Sequence, residues 1–265
     1  MSSKRRNPPL PSPLRGPAAL AGSGKRRAHS PRAGQTHMDA EGYFAFLQTP
    51  YKRDDGEVRQ PAPTTFVEVL REVHAAHVPR WDLGACLDGT AAGFSGKVWF
   101  WSDLHLSHAN IIRYCQRPFA DAVEMNSYLI RRCLAKVTEA DILVFGGDIA
   151  FGDIAAANAF LRRIPAYKLL VLGNHDVNKR KRLALDFDEV AACVEFTHAN
   201  VDYFLSHYPV PEKQLGPRQV SLHGHLHNTV MPKSLGSGLR HANMSVEGLL
   251  FEPRELHEIA SAIRL

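Results

Sequence analysis

Apolar residues along this chain gather into short unbroken runs, and polar residues follow each run at once. KVWFW (97–101), ILVFG (142–146) and YKLLVLG (167–173) are too short for buried helices and show no alternation. Runs of this kind read as strands covered on both faces. Between them, helical spacing appears near 108–116 and over 122–137, the second with Val123, Leu129, Ile130, Leu134 and Val137 on one side. IAAANAFLRRI (154–164) reads as a third helix, stopped by Pro165. Strand, helix, strand, helix, strand predicts a parallel α/β core. Shorter strand candidates follow at 192–196, 202–207, 219–224 and 241–247. The end of the chain, PRELHEIASAIRL, reads as a helix with Pro253 near its first turn.

Upstream of residue 97 the pattern is looser. Residues 41–96 form a lead-in with one expected helix, FVEVLREVHAAH, capped by Thr64 or Thr65 and ended by Pro79. DGTAAGFSG (88–96) is a turn-rich linker into a domain spanning 97–265. Residues 1–40 carry six prolines and four glycines and almost no large apolar side chains. Such a segment buries too little surface to offset its ordering entropy, so it is expected to be disordered. An inert tail, or a translation start at Met38, is the simplest reading of it. The functional readings are a polyanion-binding arm or a targeting peptide.

Composition sharpens this division. The chain has 265 residues, 45% of them hydrophobic and 22% charged, within the range of globular proteins. Its net charge of +5 is misleading, because residues 1–40 alone hold eight Lys/Arg against one acid. The remaining 24 basic and 26 acidic residues leave the folded part close to neutral, so the basic pI does not by itself imply a nucleic-acid partner. No apolar run is long enough to span a membrane. Cys86, Cys115, Cys133 and Cys193 are widely spaced and form no C-x-x-C pair, which argues against a disulfide scaffold and for a cytoplasmic location.

The polar clusters carry the chemistry. Asp103 and His105 follow the first strand, Asp148 the second, and Asn174, His175 and Asp176 the third. His207 follows YFLS, and His225 and His227 follow VSLHG. Carboxyl ends of strands in open α/β sheets form the ligand crevice, so five clusters would converge there. Asp-x-His and His-x-His spacing puts both side chains on one side of an extended segment. Two Asp, one Asn and four or five His suit manganese, iron, zinc or nickel better than calcium or magnesium alone. They are too many for one ion, and a second ion sharing one carboxylate uses them economically. Each cluster alone is weak; all five, in this order after apolar strands, are not.

The ordered set D-x-H, GGD, GNHD, H, GHLH resembles the calcineurin-like metallophosphoesterase superfamily over about Val98 to Glu247. SDLHLSHANIIRYCQRPF (102–119), LSHYPV (205–210) and NMSVE (243–247) are similar to its small prokaryotic and phage members. The resemblance implies an α/β/β/α fold: two packed sheets flanked by helices. It implies one metal held by Asp103, His105, Asp148 and His227. A second would be held by Asp148, Asn174, His207 and His225. His175 would be the catalytic histidine, oriented by Asp176. His108, as the subgroup suggests, and Arg113 and Arg117 are candidate substrate contacts. The basic run NKRKR (178–182) is placed to steer an anion toward the cleft.

The expected activity is hydrolysis of a phosphate ester by a hydroxide bridging two divalent ions, with manganese favoured and iron, zinc or nickel the alternatives. A phosphodiester of a nucleotide or nucleic acid is the favoured substrate. The alternatives are a phosphomonoesterase or protein phosphatase, and a non-catalytic scaffold of the same fold.

Overall fold

All three apolar runs are strands, and their neighbours in sequence are their neighbours in space. The computed structural model describes residues 37–52, 58–178 and 181–262. In chain order, α1 (Ala40–Gln48) leads through an antiparallel pair, β1 (Tyr51–Lys52) and β2 (Val58–Arg59), to α2 (Thr64–Ala76) and α3 (Leu83–Leu87). Next come β3 (Val98–Trp101), α4 (Ala109–Tyr114), α5 (Ala122–Leu134), β4 (Ile142–Phe145), α6 (Ile154–Leu161) and β5 (Tyr167–Val171). A short hairpin, β6 (Val177–Asn178) and β7 (Lys181–Arg182), precedes β8 (Glu189–Ala191), β9 (Val194–His198), β10 (Val201–Ser206), β11 (Gln219–His223) and β12 (His241–Asn243). The last elements labelled are β13 (Arg254–Glu255) and α7 (Leu256–Ile259).

The strands build two sheets in an α/β/β/α sandwich. One has the order β13-β3-β4-β5-β8, with β3, β4, β5 and β8 parallel and β13 antiparallel at the edge. The other has the order β12-β11-β10-β9, parallel except for β9. Every residue of β3 and β4 is buried, as covered parallel strands require. Phe100 of β3 stacks on Phe196 of β9 at 6.3 Å between centroids, joining the sheets through aromatic packing. Helix starts are set by capping aspartates: Asp121 accepts from Val123 N and Glu124 N at α5, and Asp153 from Ala156 N at α6.

Three sequence readings need correction. The lead-in holds three helices, not one, and α2 starts at Thr64 after Pro63 with no side-chain cap. Pro63 carries the fixed φ that suits a helix entry, so the threonines sit inside the first turn. The closing segment opens as strand, because Arg254 and Glu255 pair with Phe100 and Trp99 before the helix begins. Met38, inside the stretch expected to lack structure, is 2% exposed and exchanges backbone hydrogen bonds with the Gln219 amide. The remainder of that stretch, residues 1–36, lies outside the described residues.

The lead-in helices buttress the sheets. Tyr43 of α1 meets Phe204 of β10 edge-on at 5.6 Å, and His77 after α2 pairs with buried Glu189 of β8 at 2.6 Å. His74 packs edge-on against the Phe44 ring. All four cysteines are free and buried, and burial pushes the Cys133 and Cys193 thiols up to about 12. Among the described residues no helix is long and apolar enough to cross a membrane.

Candidate metal centre

The loops that leave β3, β4, β5, β10 and β11 meet at the carboxyl edge between the two sheets. They are tied there by backbone hydrogen bonds: Asp103 N to Gly147 O, His105 N to Asp148 O, and Gly224 N to His207 O, each 3.0 Å. Asp103, His105, Asp148, His225 and His227 all have left-handed φ, between 50° and 67°. Such a conformation costs on the order of 1 kcal/mol or more for a residue other than glycine and gathers at functional sites. The Asp-x-His and His-x-His pairs therefore converge through tight turns, not through the pleat of an extended strand. Gly147, at φ 101°, makes the approach possible: a Cβ there would lie 2.6 Å from Gly173 N and 2.7 Å from the His207 ring.

Two groups of donors result. Asp103, His105 and His227 bring ligand atoms within 4.8 Å of one another, and so do Asp148, His207 and His225. The groups touch across Asp148, whose Oδ2 is 3.5 Å from His105 Nε2 and 3.3 Å from His207 Nε2. Asn174 Oδ1 lies 3.2 Å from His207 Nε2. His175 also reaches His105 and Asp148. The His207 Nδ1 sits 2.8 Å from Gly146 O, which leaves Nε2 aimed at the acids. The His225 ring lies 4.0 Å from that of Tyr208.

This donor set fits borderline divalent cations. It is carboxylate and imidazole without thiolate. Both ring nitrogens of His105 are buried and lack a hydrogen-bond partner, a placement that wastes a polar ring unless a cation faces it. Burial pushes His105 down to about 3, so it stays neutral and able to ligate. Burial opposes the charge on Asp148, but His207 and then His105 hold its carboxyl well below the usual range. His207 rises to about 9 against its own burial, through the charge and hydrogen bond of Asp148. Burial raises Asp103.

Two expected roles differ in the structure. Asp176 does not orient the His175 ring. Its Oδ2 accepts from Asp148 N (2.8 Å) and Gly173 N (2.9 Å), and its Oδ1 accepts from Ile149 N (3.0 Å). Burial and the neighbouring Asp148 charge raise its pKa. It is a clamp between two strand-end loops. Arg117 is no substrate contact either: it is 4% exposed and donates to Asp103 O, Leu104 O and Glu247 Oε1. Arg113 is exposed and lies over the Tyr114 ring. His108 does reach the centre, with its ring 5.4 Å from that of His105. His223 is buried against His241 and stays outside both donor groups. Of the basic run, residues 179–180 lie outside the described residues; Lys181 and Arg182 are exposed in the hairpin just past His175.

One set of site residues went unread. Asn243, Ser245 and Glu247 alternate with buried Ala242, Met244 and Val246. Asn243 Nδ2 donates to His227 O (2.8 Å), and Ser245 Oγ to Asp103 Oδ2 (2.9 Å). Glu247 Oε1 lies 3.0 Å from His227 Nδ1 and also accepts from Arg117. Burial opposes ionisation of Glu247, yet His227 and Arg117 hold it down at about 2. The signal was present: polar residues at every second position of an otherwise apolar stretch, after the last ligand cluster. A separate cavity of about 400 Å³ opens at the other end of the sheet, lined by Arg80, Trp81, Phe94 and Tyr167, and none of the donors lines it.

Comparison with known proteins agrees with this geometry. The sequence profile of the calcineurin-like phosphoesterase family matches residues 96–257. An uncharacterized protein of Methanocaldococcus jannaschii is 30% identical over 171 residues, 63% of this chain and 91% of that protein. The gene 66 protein of Mycobacterium phage D29 is 28% identical over 169 residues, covering 52% of this chain and 82% of its own length. A crystal structure of a protein of unknown function from Aquifex aeolicus superposes with a TM-score of 0.51 at 26% identity, over 64% of this chain and all of that one. Fold and sequence profile thus place the chain in the phosphoesterase class. It belongs to the calcineurin-like phosphoesterase family, whose members are metal-dependent hydrolases of phosphate esters.

Proposed function

We propose that the protein hydrolyses a phosphodiester of a nucleotide or nucleic acid at a centre of two divalent cations, manganese favoured. The observation that carries this reading is Asp148, a buried carboxylate lying between two donor groups. Asp103, His105, Asp148 and His227 would hold one ion, and Asp148, Asn174, His207 and His225 the other. Two such ions, when bound, acidify a water and neutralise charge on a phosphoryl group. The protein's own residues do the rest. His175 N donates to Asp148 Oδ1 at 2.9 Å, and its half-buried ring lies 5.2 Å from that of His105. From there it can give a proton to the departing ester oxygen. Arg117 gives its guanidinium to protein acceptors and leaves none for substrate. Residues 97–265 form the catalytic domain in this reading, with 41–96 as its buttress, and the unpaired cysteines support a cytoplasmic setting.

The test compares initial rates on bis(p-nitrophenyl) phosphate and p-nitrophenyl phosphate after adding Mn²⁺ to metal-stripped protein. The diester is expected to be cleaved faster. His175→Ala is expected to lower diester turnover by about 10²-fold while keeping bound metal. Faster monoester cleavage would redirect the search to phosphatases, and no metal-dependent rate on either would favour a scaffold.

Glu247 gives a second expectation. A carboxylate on the outer nitrogen of a ligating histidine fixes its tautomer and basicity. Glu247→Gln should weaken Mn²⁺ binding by about 10–100-fold in a calorimetric titration. Turnover at saturating Mn²⁺ should change little. Unchanged affinity would mean that Glu247 serves only to pair Arg117.

A further inference from the structure

Among the described residues, two exposed aromatic side chains lie against the site. Phe151, just past the Asp148 loop, is 47% exposed, and Tyr114, at the end of α4, is 63% exposed. Both lean on the same imidazole. Phe151 stacks on His108 with centroids 4.3 Å apart and planes at 21°, and Tyr114 meets His108 edge-on at 6.4 Å. Phe151 also meets the His175 ring at 5.5 Å, and His108 lies 5.4 Å from His105. A continuous chain of rings therefore runs from the donor groups out to solvent. At its outer end the exposed Arg113 guanidinium lies 5.5 Å over Tyr114. The His108 Nδ1 is buried without a partner, and the ring is held by stacking on Phe151.

We infer that Phe151 and Tyr114, braced by His108, form a stacking platform for the nucleobase of the ester. This rests on the phosphodiester reading and adds to it a specificity surface. Aromatic rings beside a phosphate-binding centre suit a ligand with a phosphate at one end and a flat ring at the other. Bases stack on such rings with little sequence preference. Arg113, and Lys181 and Arg182 in the hairpin beyond His175, are exposed cations suited to further phosphates of a polynucleotide. A phosphotyrosyl peptide offers a ring too, but it is a monoester and carries no such row of phosphates.

Two measurements on Mn²⁺-loaded full-length protein test the platform. The first compares binding of AMP, ribose 5-phosphate and phosphotyrosine by calorimetry. AMP is expected to bind about tenfold tighter than ribose 5-phosphate, and Phe151→Ala should erase that difference while Phe151→Trp keeps it. Tyr114→Ala should reduce it. The second compares thymidine 5′-(p-nitrophenyl phosphate) with methyl p-nitrophenyl phosphate, which share a leaving group. Phe151→Ala should raise KM for the nucleoside ester about tenfold more than KM for the methyl ester. Equal affinity for AMP and ribose 5-phosphate overturns the platform. So does an equal loss on both esters, which would mean that Phe151 merely supports His175. Phosphotyrosine bound as tightly as AMP overturns the assignment to a nucleobase. Base-dependent binding without hydrolysis leaves the platform standing and refutes the hydrolytic reading.

Discussion

Asp148→Asn is expected to reduce diester turnover by about 10³-fold, the equivalent of roughly 4 kcal/mol of transition-state stabilisation. If the proposed two-ion centre holds, metal content should fall from two ions per chain to one or none. The substitution keeps the shape of the side chain. The carboxamide could still accept the His175 amide through its carbonyl, as Asp148 Oδ1 does at 2.9 Å. What changes is the atom facing His105 Nε2 at 3.5 Å and His207 Nε2 at 3.3 Å: a charged oxygen becomes a neutral amide. No other carboxylate lies in both donor environments among the described residues; Asp103 belongs to one group only. The check is kcat together with metal per chain by atomic emission, on protein whose melting curve is intact. Activity within tenfold of the parent, with two ions still bound, would remove Asp148 from its bridging place.

That expectation rests on features visible in the sequence, because strand-end chemistry is local. A run such as ILVFGGD declares both its burial and the ligand that follows it. The same reasoning carried His105, His207 and the 225/227 pair to one crevice, since parallel strands deliver their carboxyl ends to one edge. It mistook how they arrive. Period-two spacing suggested one face of a strand, whereas left-handed turns at Asp103, His105, His225 and His227 aim the side chains. Backbone demand was also invisible. Arg117 looks like a surface arginine until the carbonyls of Asp103 and Leu104 are seen to need donors. The edge strand Arg254–Glu255 is two residues long, too short to show any period, and was absorbed into the helix after it. Phe151 and Tyr114 carry no ligand chemistry of their own, and only contact with His108 connects them to the site.

Asp176→Ala is expected to be the most destabilising change at the site, and it separates a structural account from a catalytic one. The carboxylate is fully buried and holds three amides: Asp148 N, Ile149 N and Gly173 N. Two belong to the loop after β4 and one to the loop after β5. Alanine leaves all three buried donors without partners, and each such group costs about 1–3 kcal/mol. The lower part of that sum, about 3–5 kcal/mol, already corresponds to a melting point lower by roughly 10–15 °C for a chain of this size. The loss reaches the chemistry indirectly. Asp148 sits at φ 55°, a conformation held by its surroundings, and freeing its amide lets the turn relax away from the donors. Metal affinity should therefore fall along with stability. Asp176→Asn should be intermediate, because its carbonyl can still accept two of the amides while its NH₂ faces the third. If Asp176 instead acted on His175, Asp176→Asn would shift the pH profile of kcat and leave the melting point alone. Thermal melts and pH–rate profiles of both variants decide between the two. A parental melting point with lowered turnover would discard the clamp and restore the catalytic role.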